Sequence, residues 1–208
     1  MNPAAPPPYF RQVVLAAVVL GMLVSVSSAQ ESALAMSVES LHPPDISEIP
    51  FRGLLPFTKE QEAAFKAQER AKLSAMESMA TPRAIVLVLL STMSVIVLVS
   101  SLQIRWHEGP PPVGLAKRLG LAAILSAVLR TMDGAQQLVI VRRAAEASGK
   151  ALIDSGATDA QAIAALTRTL GSLVSIGWTV LMVGLFLAIA SYFRSRKVLG
   201  AFDVPPEE

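Results

Sequence analysis

Ser126, Arg130, Asp133 and Gln137 stand four, three and four residues apart in GLAAILSAVLRTMDGAQQLVIV, an otherwise apolar stretch at residues 120–141. On a helix that spacing puts them on one face, with Gln136 able to extend the same set of hydrogen bonds. Lipid cannot hydrate such a face, so it points into a bundle, toward another subunit, or at a wet cavity. Two kinds of chemistry fit. Arg130 and Asp133 can neutralise each other, or Arg130 can meet a carboxylate on another protein, in a polar network that sets helix register and partner choice. Alternatively, the pair lines a path for ions or protons, which intramembrane ionisable residues often mark.

Other chemistry finds little footing. The chain carries no H-E-x-x-H, P-loop or G-x-S-x-G pattern. Glu60, Glu62, Glu69 and Glu77 are spread round a charge-laced helix with basic partners rather than paired for acid/base work. Ser91, Ser94, Ser100 and Ser101 lie in an uncharged run with no base nearby. There is no cysteine, and His42 and His107 are far apart, so neither a metal nor a disulfide is expected. No catalytic residue and no cofactor is expected, and the chain reads as a non-enzyme.

The elements that must hold the polar face are long and apolar. Of 208 residues, 52% are hydrophobic and 16% charged, with a mean hydropathy of +0.51. Soluble domains carry about 25% charged residues, so the balance indicates an all-α integral membrane protein. Residues 1–29 have one basic residue, Arg11, then a dozen apolar residues, then small ones, with Ser27 and Ala29 suited to cleavage before Gln30. That is the layout of a signal peptide or, uncleaved, of a first transmembrane helix. Residues 30–82 read as an exported arm, irregular to residue 57 and helical over 59–80. Thr58 and Gln61 form a capping box there, and Glu62 with Lys66 a supporting pair.

Thr81-Pro82 reads as a second helix start, and residues 84–104 contain no charge, enough to cross a bilayer. Arg105 and Trp106 close that span, and a short Pro-rich connection turns the chain back. The polar-faced transmembrane helix is placed at 119–141, with residues 144–153 as a solvated extension. Thr158 with Gln161 suggests another capping box. A long helix is expected over 159–197, with 171–193 in the membrane, followed by a tail at 198–208. Gly171, Ser175, Gly177 and Gly184 offer small surfaces for close helix packing. The expected total is three spans after signal cleavage, or four without it.

Basic residues give an orientation. Arg11, Arg105, Lys117, Arg118, Arg194, Arg196 and Lys197 fall on one side; Arg83, Arg142, Arg143, Lys150 and Arg168 fall on the other. The first side is taken as cytoplasmic, which exports the arm and leaves the C-terminus inside. The expected setting is a bacterial inner membrane. Expected partners are the lipid bilayer and other membrane subunits or further copies of the chain. The basic residues are accounted for by orientation, so no nucleic-acid partner is expected.

ALTRTLGSLVS at residues 165–175 and LRTMDGA at residues 129–135 are similar to the closing helices of the MotA/TolQ/ExbB proton-channel proteins. That family places a large cytoplasmic region between its first two spans, where this chain has only residues 105–118. Arg130 and Asp133 also interrupt the family's glycine-rich turn pattern. The resemblance implies ion conduction as an alternative role. The leading expectation is a small non-enzymatic subunit or assembly factor, docked through helix packing and the buried polar stripe.

Overall fold

A computed structural model describes residues 7, 9–37, 58–107, 111–156 and 159–202. Among these the regular structure is entirely α-helical: α1 (Phe10–Met36), α2 (Lys59–Ser78), α3 (Ala80–Trp106), α4 (Val113–Asp154), α5 (Ala160–Phe193) and α6 (Arg196–Phe202). Three helices, α1, α3 and α5, are long and apolar enough to cross a membrane, as an integral membrane protein requires. The polar-faced α4 is not one of the three, because Arg130, Asp133 and two glutamines lower its hydropathy.

The helices run past several edges of the expected segments. The segment assigned to cleavage, residues 27–30, lies inside an unbroken α1. The irregular part of the arm over residues 38–57, the connection at 108–110, Thr158 of the suggested capping box and the tail from 203 lie outside the described residues. Helix α3 begins at Ala80, so Thr81 and Pro82 are inside its first turn rather than at its edge. A proline is tolerated there because the first-turn N–H groups have no helical acceptor anyway. Helix α4 runs through residues 113–154 without a stop. It ends where Gly156 takes the left-handed backbone (φ 70°) that a glycine accepts at no steric cost. Helix α5 stops at Phe193, and α6 takes up the first part of the expected tail.

The chain divides into two compact units, the first of residues 1–32, 85–132 and 180–208, the second of residues 33–84 and 133–179. The first has a continuous apolar core. Val14, Ala17, Leu20 and Val24 of α1 meet Leu90, Val97 and Ile104 of α3 and Leu119, Ala123 and Ala127 of α4. Phe186, Ile189 and Phe193 of α5, with Val198 and Phe202 of α6, complete it. The α1 stripe recurs every three to four residues, the period of one helix face. Phe10 stands edge-on to Phe193 and Phe202, with ring centroids 6.4 and 5.7 Å away.

Helix α1 touches the backbone of α3 directly. A Cβ on Gly21 would lie 2.9 Å from the Leu98 nitrogen and 3.0 Å from the Ser94 carbonyl oxygen. One turn on, the Ser91 hydroxyl donates to the Ser25 carbonyl across the same interface, at 3.1 Å.

The second unit has a small apolar cluster, Ala64, Leu152 and Ala160, with Ala151 against it. Its α2 is capped as the sequence indicates: Thr58 Oγ1 accepts from the Gln61 backbone N–H, and Gln61 Oε1 accepts from that of Thr58. Glu62 and Lys66 pair at 3.3 Å. A single non-helical residue, Met79, separates α2 from α3.

Candidate functional site

Within the second unit, the first turn of α3 carries Arg83 and α4 carries Asp133. Both are buried, 5% and 2% exposed, with Nη2 of Arg83 3.8 Å from Oδ1 of Asp133. Removing two full charges from solvent is expensive, and their mutual attraction offsets part of that cost. Next to Asp133, Gly134 has no side chain, and Thr179 of α5 occupies the space a Cβ would need. The Thr179 hydroxyl donates to the Ser175 carbonyl of its own helix at 2.9 Å. Residues 133–134 are thus a junction where α3, α4 and α5 meet: a charge pair on one side, a glycine contact on the other.

The expected polar stripe is only partly gathered here. Asp133 joins the junction, whereas Ser126 belongs to the other unit, fully buried with its hydroxyl free of hydrogen bonds. Arg130 is half-buried on α4, Gln136 half-buried, and Gln137 exposed. Of the small residues on α5, Gly171 packs on α4, where its Cβ would lie 3.0 Å from Val141 Cγ1. Ser175 is half-buried. Gly177 and Gly184 face open space, with nothing within 4 Å of where a Cβ would stand.

Arg83 was missed as a site residue. Counted as a loop charge marking one side of the membrane, it is instead withdrawn into the protein. The signal was present in the hairpin: counting back along α3 and forward along α4 from their short connection brings residues 83 and 133 to one level. Asp133 therefore sits opposite the residue that borders the uncharged run of α3, not opposite the middle of that run.

Farther along α4, Gly149 packs on Ala164 of α5, and Arg168 pairs with Glu146 at 3.6 Å. These residues, with Lys150 and Gln161, line an open cavity of about 460 Å³. Among the described residues, no three His, Cys, Asp or Glu side chains come close enough together to hold a metal.

No family model, curated protein or solved structure matches this chain. The likeness to the MotA/TolQ/ExbB helices gains no support from them, and the functional reading rests on the packing alone.

Proposed function

We propose that the chain is a small non-enzymatic subunit or assembly factor of an inner-membrane protein complex, a helical bundle that offers one helix to other protein. The observation that carries this reading is the uneven cover of its apolar helices. In the most apolar window of α5 only 22% of the residues are buried, against 39% for α1 and for α3. Such a helix, braced along one side and bare along the other, is suited to docking.

In this reading α1 stays in the mature protein as a first span, because its stripe supplies part of the core and Gly21 seats it on the α3 backbone. Helix α4 crosses as a fourth span, with Ser126 and Asp133 of its polar face turned inward. With Arg83 engaged by Asp133, the loop charges favour the side of Arg105, Lys117, Arg118, Arg194, Arg196 and Lys197 more strongly. That side is cytoplasmic, α2 is exported with the arm, and both termini are inside. The Arg83–Asp133 pair serves as a register lock between α3 and α4, a use for which buried charges are suited.

Ion conduction through Arg130 and Asp133 is less well supported. The Asp133 carboxylate is engaged by Arg83 in packed surroundings. The open cavity starts at Ala145, about 18 Å farther along α4 at 1.5 Å per residue.

Extraction of the tagged chain from its native membrane in mild detergent, followed by native mass spectrometry, tests the proposal. An assembly of defined stoichiometry that includes at least one other protein is expected. A stable monomer at every concentration would overturn it. Ion flux into vesicles that changes with Asp133→Asn or Arg130→Gln would bring back the channel.

A further inference from the structure

The bare side of α5 has a period. Ile163, Leu166, Leu170 and Leu173 are 45%, 59%, 51% and 58% exposed, and their spacing alternates three and four. The same alternation continues along the helix through Gly177, Val180, Gly184 and Leu187, all exposed. These are successive a and d positions of a heptad repeat sustained over more than three heptads. The opposite stripe is the one that α5 uses on its own chain. Ala164, Arg168, Gly171 and Thr179 face Gly149, Glu146, Val141 and Gly134 of α4. The seam is therefore complete, regular and without an occupant among the described residues.

Resting on the subunit reading above, we propose that a second copy of this chain fills the seam, α5 against α5 in a parallel left-handed pair. Lipid cannot cover all of it. The contacts just named hold Ile163, Leu166 and Leu170 at the level where α4 carries Arg142, Arg143, Glu146 and Lys150, a charged stretch unsuited to hydrocarbon. The seam's composition changes as its surroundings do. Bulky side chains occupy the end flanked by charge, where water makes their burial favourable. Glycines take the a positions in the apolar stretch, where lipid removes that driving force and close backbone approach replaces it.

An identical helix is an acceptable partner electrostatically. The flanking e and g positions, Thr167, Val174 and Leu181 with Thr169, Ile176 and Val183, carry no charge, so two copies do not repel. Copies inserted in the same orientation can pair only in parallel, with each a residue facing its counterpart. From the fractional exposures, the a and d residues offer on the order of 700 Å² per helix, close to the roughly 800 Å² per side of a stable interface.

The chain has no cysteine, so single cysteines can be introduced cleanly. The full chain, produced recombinantly and placed in phosphatidylcholine/phosphatidylglycerol vesicles, is oxidised with copper phenanthroline. Leu166→Cys, Leu170→Cys and Leu173→Cys should give cross-linked dimers, and Ala165→Cys and Ser172→Cys at c positions at least fivefold less. Leu166→Arg with Leu173→Arg should turn the dimer into a monomer in mild detergent while leaving helix content unchanged, since neither side chain is part of its own bundle's core. Equal cross-linking at seam and c positions would overturn the proposal, as would none at any. A monomeric recombinant chain alongside a native assembly of other proteins would sink the self-pairing and leave the subunit reading standing. A recombinant dimer with no other protein in the native extract would do the reverse.

Discussion

The unit built on residues 85–132 and the unit built on residues 133–179 share α4 and α5 yet are held by different means. In the first, bulky side chains from five helices share one core, with Phe186, Phe193, Leu119 and Leu90 fully buried. In the second, the shared apolar cluster is two alanines and a leucine, and the helices are fastened at separate points. Those points are the Arg83–Asp133 pair, the Gly134–Thr179 and Gly149–Ala164 contacts, and a hydrogen bond from Arg143 Nη1 to Ser78 Oγ at 3.2 Å. A continuous core spreads the cost of any one change over many neighbours. Point fastenings concentrate it.

The largest effect is expected in the first unit. Phe186→Ala empties a fully buried site and should cost about 3–5 kcal/mol, read from reversible unfolding in mixed micelles. A loss below about 1 kcal/mol would mean that the core there is looser than its burial indicates.

Next comes the charge pair, where the difference between the units can be sharpened. Asp133→Ala should cost roughly 3 kcal/mol because it removes the carboxylate that faces the buried Arg83 guanidinium. Arg83→Met combined with Asp133→Leu should recover most of that loss, because neither charge then needs a partner. If the double variant is as unstable as the single one, the pair is not what fastens α3 to α4.

The smallest effect belongs to the capped start of α2. Thr58→Ala should cost about 1 kcal/mol locally, seen as faster amide exchange over the first turn and unchanged exchange at the Phe186 core. The same cap sets a pH dependence. The Thr58 hydroxyl and the backbone N–H of Glu60 hold the Glu60 carboxyl below its ordinary value of 4.5. A depressed carboxyl stabilises the folded form fully above its unfolded pKa and loses that contribution as pH falls through the folded one. Amide protection of the first turn should therefore decline on acidification below about pH 4.5, and by less in Thr58→Ala.

What was legible in the sequence was local in the chain. The Thr58–Gln61 box and the Glu62–Lys66 pair depend on residues three and four apart, and both form. The uncharged run of α3 and the apolar run of α5 set their own lengths. Arg142 and Arg143 mark an end to the apolar part of α4, and the helix passes through them into the expected solvated extension because alanines follow and no proline intervenes before Gly156. What was hidden depended on a neighbour. Nothing in the TPRA sequence around Arg83 distinguishes a loop charge from a buried one. Nothing in the LGML sequence around Gly21 shows that another helix's backbone lies against it. The α5 heptad was readable in principle, but its meaning needed the knowledge that α4 occupies the opposite stripe.

Gly21 also constrains the order in which the protein can be put together. The surface it seats on, around Ser94 and Leu98, is made long after α1 has left the ribosome, roughly 4 to 15 s later at about 5–20 residues per second. During that interval the notch in α1 has only lipid or an insertion factor to face. Biogenesis therefore includes a waiting step, and any side chain larger than hydrogen at residue 21 is felt at its end, when α3 arrives and finds its berth obstructed.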